Sequence, residues 1–545
     1  MKTTPVILLF LLACPALALE VPAKDFPEKS CGTAQGDFWN LWSTGAASAW
    51  VRFPAAGTYR IEVEARGEPA RGVWPILRVR LDLEPVGEVV VAKRKAGTFP
   101  FETHIEAGTR RLSLQFTNDY FDPGREEDRN LHLGRVRIVP AEAGIAHPSL
   151  ASAPDWRKEA DAGIEKHRKG RLVLEVEDAS GAPAPEVQVR ASLVRHAFPF
   201  GCALSSGLAH EGWSERDRRM YTRLFPDLFN HAVHENALKW HVVNRRGPVS
   251  DFGDADRILS WCEARSIPMR GHCLFWASRR CIPRFASALD DEDLRGAIFR
   301  RIEEVLERYG GRITDFDMNN EMIHNDWFAK RLGEGIRVEM FRKAHEVAPD
   351  TPMYVNDFAI LSGAHLDRYV EHIRGLMEAG APVGGIGCQG HFGAPGPDPR
   401  VVRMALDRLA SFGLPIKITE FDIDSADEEE QAKRLEAFYR VCFGHPAVQG
   451  ILMWGYWAGA HWRPRGALFR RDWSPKPAAE AYLHLVHQTW RTLLEGSTDE
   501  GGRFEGQAFF GTYRVTLRAP GRDAAVQEIV FSREDAGERL RIALR

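Results

Sequence analysis

The sequence predicts an α/β protein whose largest part is a (β/α)8 barrel, the TIM-barrel fold, with a β-sandwich module before it and a small β appendage after it. Three observations support this. The chain has 545 residues, which is too long for a single hydrophobic core. Residues 196–487 alternate strand-like apolar runs with helical stretches, which is the repeat of such a barrel. Residues 19–140 and 488–545 instead contain short alternating runs, which are typical of β-structure.

The chain begins with residues typical of a secretory leader peptide, over residues 1–18. Lys2 precedes the apolar run 6–13, and Ala16 and Ala18 form a small-x-small cleavage site. This run is too short for a permanent membrane helix, and we expect no membrane span elsewhere. We therefore expect an exported protein, either secreted or periplasmic. A lipoprotein is less favoured. The possible lipidation box reads LLAC and ends at Cys14, and Leu12 is bulky at a position where a small residue is preferred.

The composition is that of a soluble globular protein, with 44% hydrophobic and 27% charged residues. Lys and Arg number 72 and Asp and Glu 75, a net charge of −3, so the sequence gives no reason to expect nucleic acid as a partner. We expect a monomer. The seven cysteines that follow the leader show no CxxC spacing, which argues against a zinc site, and their odd number leaves at least one free thiol.

Residues 19–140 predict a β-sandwich with one unusual loop, at 118–130. The loop is rich in oxygen-bearing side chains, among them Asp119, Asp122 and Asp128. A hard cation such as calcium requires ligands of this kind, but a solvated acidic loop has the same composition. Both interpretations therefore stay open on the residues alone.

Three short motifs in this region resemble the calcium-dependent xylan-binding modules attached to plant-wall hydrolases. The motifs read VWP from Val73, NDY from Asn118 and DRNL from Asp128, and the resemblance covers most of residues 30–139. It implies a calcium ion in the loop that coordinates sugar hydroxyls directly. One difference from the family is that no acidic residue lies near Gly134.

Residues 141–195 predict a linker and a β-hairpin that leads into the barrel. Residues 141–154 are rich in Ala and Pro, and two strand-like runs then flank a turn region at 178–185. The barrel starts at His196. Its clearest helix is predicted over Asp291–Tyr309, with an aspartate before it, two glycines after it and an apolar stripe along one face. An open, doubly wound sheet is disfavoured, because no glycine-rich phosphate loop follows the first strand.

Polar side chains cluster where the predicted barrel strands end. The carboxyl ends of parallel strands meet at one rim of a barrel, which is where its functional sites lie. One polar strand end could belong to a buried hydrogen-bonded network, but so many converging polar groups would be left uncompensated in a core. The candidate site residues are Glu235, Asn236, Lys239, His272, Trp276, Asn320, Glu321, Gln389, His391, Glu420, Asp422, Trp454 and Trp462.

Two carboxylates on opposed strands, Glu321 and Glu420, suggest the chemistry of glycoside hydrolysis. This reaction needs one protonated carboxyl, which gives its proton to the leaving oxygen, and one ionised or water-activating carboxylate. Several of the 15 tryptophans could then form flat walls against a sugar, although core packing is the other use of such residues.

Five ordered motifs closely resemble glycoside hydrolase family 10, the retaining endo-β-1,4-xylanases. They read ENALKW, RGHCLFW, DMNNE, GCQGH and ITEFDI, and they begin at Glu235, Arg270, Asp317, Gly387 and Ile418. The resemblance covers about residues 196–485. It implies a (β/α)8 catalytic domain that needs no cofactor, with xylan as the polysaccharide substrate.

The resemblance also implies a role for each matching residue. Glu321 would be the acid/base and Glu420 the nucleophile, which His391 and Asp422 would keep ionised and oriented. The sugar at the cleavage point would be held by Lys239, His272, Asn320, Gln389 and His391. Glu235 and Asn236 would hold the next sugar outward, and the walls of the cleft would be Trp276, Trp454 and Trp462.

Two departures from the family pattern bear on substrate preference. Ala277 stands where the family usually has His, and Phe358 stands where it usually has Tyr. The sequence leaves two alternatives to a xylanase. A retaining glycosidase acting on cellulose or mixed glucan would have to admit an added hydroxymethyl group. A non-catalytic xylan-binding protein is disfavoured because both glutamates are present.

Overall fold

A computed structural model describes residues 18–210, 212–520 and 523–544. The predicted leader peptide therefore lies outside the described residues except for its last position. The chain divides into two units, one that ends at Asp155 and one that begins at Trp156. This boundary falls inside the segment 141–195 that the sequence predicts as linker and hairpin.

The N-terminal unit consists of two antiparallel sheets. In spatial order, the first sheet contains Thr33–Gln35, Phe38–Leu41, Asn130–Pro140, Gly57–Glu68 and Gly97–Ile105, with Leu19–Pro22 also paired to Asn130–Pro140. The second contains Ser149–Leu150, Gly45–Phe53, Gly108–Phe116, Ile76–Leu81 and Glu84–Val90, with Glu28–Lys29 also paired to Gly45–Phe53. The short strands Phe121–Asp122 and Glu127–Asp128 pair within the acidic loop.

Alternation of side chains along the strands explains this architecture. In Gly57–Glu68, Tyr59, Ile61 and Val63 are fully buried, whereas the intervening Arg60 is exposed. Successive side chains of a strand point to opposite faces, so each sheet presents one apolar face. The buried residues of both sheets form one hydrophobic cluster. The predicted β-sandwich is confirmed.

The second unit contains a closed barrel of eight parallel strands. The first to eighth barrel strands are Phe200–Leu204, His231–His234, Met269–Arg270 with Phe275–Trp276, Phe316–Asn320, Met353–Asp357, Gly385–Cys388, Ile416–Asp424 and Val448–Met453. The third strand has two pieces, which both lie beside the fourth strand. A short strand His391–Gly393 also pairs with the seventh strand. The predicted (β/α)8 barrel is confirmed.

Helices follow the barrel strands. The α-helices of this unit are Trp156–Arg168, Glu215–Leu228, Trp240–Val243, Gly253–Glu263, Arg284–Ser287, Asp291–Tyr309, Trp327–Leu332, Gly335–Val347, Leu366–Glu378, Pro399–Ala410, Glu428–Gly444 and Pro477–His484. Asp291–Tyr309 has the predicted bounds. The Asp290 carboxylate accepts a hydrogen bond from the Asp293 amide (2.9 Å), and its apolar stripe is buried.

Residues 156–196 and the C-terminal segment together build a smaller β-structure. A three-stranded sheet contains Arg503–Phe509, Lys169–Glu177 and Arg539–Ala543. A four-stranded sheet contains Leu493–Ser497, Gln188–His196, Gly511–Arg518 and Ala525–Phe531. The predicted hairpin is wrong, because Lys169–Glu177 and Gln188–His196 lie in different sheets and each pairs with strands of the predicted appendage 488–545. A helix, Trp156–Arg168, follows the expected linker 141–154. Local sequence carries no signal for a pairing between such distant strands.

Two further findings concern the whole described part of the chain. No helix there is long and apolar enough to cross a membrane. The seven cysteines that it contains are free thiols, and six of them are buried.

Candidate active site

The carboxyl ends of the barrel strands surround a cleft of about 550 Å³. Twelve of the thirteen barrel residues named from the sequence line it, and the thirteenth, Asp422, contacts His391. The lining residues are Glu235, Asn236, Lys239, His272, Trp276, Arg280, Asn320, Glu321, Phe358, Ala359, Gln389, His391, Glu420, Trp454, Trp462 and Arg463. Residues far apart in sequence thus converge because parallel strands end at one rim.

Glu321 directly follows the fourth strand and has a left-handed backbone, with φ of 59°. This conformation is unfavourable for a residue with a Cβ atom and is found mainly at sites where the surrounding structure imposes it. Here its amide donates a hydrogen bond of 2.8 Å to the Asn356 carbonyl on the next strand. The turn directs the carboxyl group into the cleft.

The Glu321 carboxyl group accepts hydrogen bonds from Trp276 Nε1 (3.0 Å), Gln389 Nε2 (3.1 Å) and Asn325 Nδ2 (3.0 Å). Burial raises the pKa of Glu321, and the negative charge of Glu420 raises it further, while the bonds from Gln389 and Trp276 act in the opposite direction. The net effect is a raised pKa, which favours the protonated form.

Glu420 lies in the middle of the seventh strand and is only 4% exposed. Its carboxylate accepts hydrogen bonds from Asn356 Nδ2 (2.8 Å) and His391 Nε2 (3.2 Å), and His272 Nδ1 lies 3.8 Å away. Burial alone would raise the pKa of Glu420, but the neighbouring imidazoles of His272 and His391 lower it to about 2. The two carboxyl groups of one cleft therefore have opposite proton affinities.

His391 connects Glu420 to Asp422. Its Nδ1 atom donates to Asp422 Oδ2 (2.9 Å) and its Nε2 atom donates to Glu420. Burial would lower the pKa of His391, but its hydrogen bonds to the two carboxylates raise it to about 9. Asp422 also accepts from Trp462 Nε1 (2.8 Å), so the indole on the cleft wall helps to fix this carboxylate.

A second imidazole, His272, is held from the opposite side. Its Nδ1 atom donates to Asp317 Oδ2 (2.8 Å), and the fully buried Arg270 bridges Asp317 and Asp315. Lys417 donates to the second oxygen of Asp315. Burial would raise the pKa of Asp315, but Arg270 and Lys417 hold it well below its usual range. The buried charges of Arg270 and Lys417 thus pair with those of Asp315 and Asp317, and Asp317 fixes the orientation of the His272 imidazole beside Glu420.

The walls of the cleft combine indole rings with a lysine. Lys239 Nζ lies 5.0 Å from the Trp276 ring centroid and 5.8 Å from that of Trp454, and it donates to Asn236 Oδ1 (2.8 Å). Burial raises the pKa of Glu235, and Lys239 opposes this. Trp462 is 50% exposed, so part of its side chain is accessible to a ligand.

The structure adds Asn325, Arg280 and Arg463 to the predicted site, together with Asn356, a polar group at the end of the fifth strand. Asn356 bridges Glu420 and Asn320, and Asn325 bonds Glu321. Arg280 and Arg463 line the cleft. Asn356 follows the pattern of a polar group at a strand end, whereas the two arginines lie in loops and carry no such signal.

Two further contacts lie beside the acid. Asn320, which the resemblance places against the sugar, accepts hydrogen bonds with its Oδ1 atom from Asn356 (3.0 Å) and Gln389 (3.5 Å). His324 donates to Asp357 Oδ1 (2.6 Å) and stacks on Phe358 with ring centroids 3.9 Å apart. His324 therefore supports the wall at Phe358.

The acidic loop of the N-terminal unit contains four buried side-chain oxygens without a hydrogen-bond partner, on Asp119, Glu127, Asp128 and Asn130, and Arg71 Nε lies 3.8 Å from that of Glu127. Burial raises the pKa of Asp119, and the charge of Asp128 contributes to the rise. A bound cation would relieve this repulsion and partner these oxygens, which are of the type calcium prefers. No group of three or more His, Cys, Asp or Glu side chains in the described residues could hold a metal, so the asparagine would complete the set.

Asp122, the third predicted ligand, has other partners. Its Oδ1 atom accepts from the Gly124 amide (3.0 Å) and its Oδ2 atom from the Tyr120 hydroxyl (3.3 Å). Arg71 and Arg125 each lie 3.9 Å from Oδ2. Asp122 therefore has no oxygen among the unpartnered ones of this loop, whereas Asn130 has one.

Comparison with protein families gives two matches. Residues 190–485 match the model described as glycosyl hydrolase family 10. Residues 60–152 match a model described as a Ca-dependent carbohydrate-binding module, xylan-binding. The two matches fall in different units of the structure.

Curated relatives cover much of this chain. It is 36% identical over 368 residues to the anti-sigma-I factor RsgI6 of Acetivibrio thermocellus, covering 67% of this chain and 47% of the relative. It is 33% identical over 420 residues to endo-1,4-beta-xylanase 1 of Arabidopsis thaliana, covering 76% and 42%. The chain thus spans about half the length of these relatives.

Among solved structures, xylanase 10B from Thermotoga maritima shares 26% sequence identity with this chain. The TM-score is 0.49, and the match covers 54% of this chain and 96% of that one.

The family match covers more than half of the chain, and it coincides with the barrel whose strand ends bring Glu321 and Glu420 into one cleft. This chain belongs to glycosyl hydrolase family 10.

Proposed function

We propose that this protein is a retaining endo-1,4-β-xylanase, which hydrolyses internal β-1,4 bonds of xylan by double displacement. One observation carries the proposal. A carboxyl group with a raised pKa, Glu321, and a carboxylate with a pKa of about 2, Glu420, face the same cleft. Glycoside hydrolysis by double displacement requires such a pair, one protonated and one ionised.

In the first step, Glu420 attacks the anomeric carbon while Glu321 gives its proton to the departing glycosidic oxygen. The C–O bond to the leaving sugar breaks, and a covalent ester between Glu420 and the glycone forms. Asn356 and His391 already hydrogen-bond the Glu420 carboxylate and so hold it in one orientation. The attacking group therefore needs little rearrangement.

In the second step, water replaces Glu420. Esterification removes the charge of Glu420, which is one of the causes that raise the pKa of Glu321. Glu321 is ionised after the first step, and it can now take a proton from the water that attacks the anomeric carbon. The ester breaks, Glu420 leaves as a carboxylate, and the product keeps the configuration of the substrate.

A β-glycosidase acting on cellulose or mixed glucan is the second candidate. Glucose carries a hydroxymethyl group that xylose lacks, and we expect this group to clash with Lys239, Trp454 or Trp462, which line the cleft. We expect release of reducing sugar from xylan at a rate at least about 10-fold above that from carboxymethyl cellulose, since one extra group in a pocket changes rates by such factors. Equal rates on both polymers would overturn the proposed specificity.

The pH dependence of kcat/KM should report the two carboxyl groups. Activity requires ionised Glu420 and protonated Glu321, so it falls below the pKa of Glu420 and above the raised pKa of Glu321. His391→Asn removes an imidazole that stabilises the ionised form of Glu420. We expect the acid limb of the profile to move to higher pH, by about one unit.

The control for this experiment is His484→Asn. His484 is exposed and its imidazole bonds Gln488, so its loss should leave both limbs in place. An unchanged acid limb in His391→Asn would contradict the role of His391. A downward shift would do so as well, because it would mean that the imidazole destabilises the ionised carboxylate.

We also propose that the N-terminal unit binds xylan with the help of calcium. The match to a Ca-dependent xylan-binding family and the unpartnered oxygens of Asp119, Asp128 and Asn130 support this. These three residues would hold the ion, which would supply positive charge for sugar oxygens.

Calcium binding to the full chain can be measured by calorimetry. Asp119→Asn is expected to weaken calcium binding by at least about 10-fold, because an anionic ligand becomes neutral. Asp122→Asn should have a much smaller effect, because Asp122 already has protein partners. A larger loss in Asp122→Asn, or xylan binding that is unaffected by EDTA, would count against the proposed site.

Export is a further proposal, which the residues of the predicted leader support. N-terminal sequencing of the protein recovered from the medium or periplasm should give a chain that begins after Ala18. Recovery of an unprocessed chain from the cytoplasm would contradict export.

A further inference from the structure

Two arginines lie on the cleft, and their surroundings differ. The guanidinium carbon of Arg463 lies 4.2 Å from the Trp462 ring centroid. Its Nη1 atom also lies 3.4 Å from Asp422 Oδ1 and 3.5 Å from the Phe392 carbonyl. The charge of Arg463 is therefore already compensated by a buried carboxylate.

Arg280 lies over the other wall. Its guanidinium carbon is 5.6 Å from the Trp276 ring centroid, and its side chain is exposed on the short 3₁₀ turn Arg279–Cys281. Among the described residues no carboxylate forms an ion pair with it. Basic groups lie near it instead. Burial lowers the pKa of the His241 imidazole, and the positive charges of Lys239 and Arg280 lower it further.

The acidic groups of the cleft are engaged elsewhere. Glu321 bonds Trp276, Gln389 and Asn325, and Glu420 bonds Asn356 and His391. Glu235 is buried and interacts with Lys239. Arg280 therefore brings an unneutralised positive charge to a cleft that otherwise recognises neutral sugars. Its planar fork of N–H donors matches a carboxylate, which accepts two parallel hydrogen bonds.

We propose that Arg280 binds the carboxylate of an acidic sugar attached to the xylan backbone, so that this chain prefers xylan decorated with uronic acid. The proposal rests on the proposed function and narrows its substrate class. Trp276 stands between Arg280 and Glu321, because its Nε1 atom donates to the Glu321 carboxyl group. Arg280 would therefore bind the acidic sugar close to the cleavage point, with the Trp276 indole between Arg280 and Glu321.

The test compares two oligosaccharides of the same backbone length, one neutral and one with a single glucuronic acid substituent. The measured quantity is the ratio of kcat/KM for the acidic over the neutral substrate. We expect Arg280→Gln to lower this ratio about tenfold, the effect of losing one charge-assisted interaction, and Arg280→Lys to restore part of it. Raising the ionic strength should lower the ratio of the native protein as well, because salt screens exposed charges.

Arg279→Gln is the matched control, because Arg279 is the preceding residue of the same turn and does not line the cleft. It should leave the ratio unchanged. An unchanged ratio in Arg280→Gln, or an equal loss on both substrates, would overturn the proposal. The proposal would also be overturned if Arg279→Gln lowered the ratio as much as Arg280→Gln does.

A binding measurement separates this proposal from the proposed function. Calorimetry in a Glu420→Ala background, in which turnover is expected to be about five orders of magnitude slower, gives the affinities of both oligosaccharides. If Arg280→Gln lowers the affinity for the acidic one selectively, the role of Arg280 stands even where the native protein fails to cleave xylan. If both affinities change equally, the role of Arg280 is refuted even where xylan is cleaved.

Discussion

Replacement of Glu420 by alanine is expected to lower the hydrolysis of xylan by about five orders of magnitude, the size of effect seen when a catalytic nucleophile is removed. The variant keeps the cleft and the acid but has no group that can form the ester. The loss should appear in kcat, because Glu420 attacks in the transition state and contributes less to ground-state binding.

A small external nucleophile should restore part of this activity. The space left by the Glu420 side chain can admit azide, which would attack the anomeric carbon from the same side. One displacement without a second should then give a glycosyl azide of the opposite anomeric configuration from the substrate, detectable by NMR. Near-native activity of Glu420→Ala without azide would refute the assignment, and a rescued product of unchanged configuration would contradict attack from the Glu420 side.

Glu321→Gln is expected to lower xylan hydrolysis by about 10³-fold, which is within the usual contribution of a general acid. The effect should depend on the leaving group. An aryl xylobioside with an acidic phenol needs no protonation, so its first step should stay fast while the second step loses its base. We expect a burst of phenol followed by slow turnover, measured by stopped-flow absorbance.

The control for this variant is Glu429→Gln, at an exposed position near the start of a surface helix. It should be active on both substrates. If Glu321→Gln lost the same fraction of activity on xylan and on the aryl substrate and gave no burst, Glu321 would not be the acid. The pH profile gives an independent check, because the basic limb should disappear in Glu321→Gln.

Much of the barrel could be predicted because its signals are local. Each strand is a short apolar run that ends in polar residues, and the helix Asp291–Tyr309 has its stripe, its cap and its terminating glycines between residues 290 and 311. The pair Glu321 and Glu420 was also visible, since each lies in a short motif at a strand end. That the two face one cleft follows from the parallel arrangement of the strands.

Other features depend on contacts between distant segments. Lys169–Glu177 pairs with Arg503–Phe509, and Gln188–His196 with Gly511–Arg518, although more than three hundred residues separate them. Either segment alone shows only the alternation of a strand. The alternation along a strand indicates which of its faces is apolar, but it does not indicate which other strand will pair with it.

The acidic loop of the N-terminal unit shows the same limit at the level of single oxygens. Asp119, Asp122 and Asp128 are equivalent as sequence, because each is an aspartate in one acidic loop. The fold gives Asp122 partners in Gly124 and Tyr120 and leaves an oxygen of Asn130 without one. Hydrogen-bond competition, which depends on position, decides which oxygens are left for a cation.

The sequence by itself determined the barrel, the β-sandwich and the two glutamates, because periodicity and short motifs are properties of neighbouring residues. Only the tertiary structure decided the proton affinities of these glutamates. Glu321 and Glu420 have the same side chain, and burial with Glu420 nearby raises the pKa of one while the imidazoles of His272 and His391 lower that of the other. The electrostatic energy depends on distance and burial, which are known only once the chain is folded.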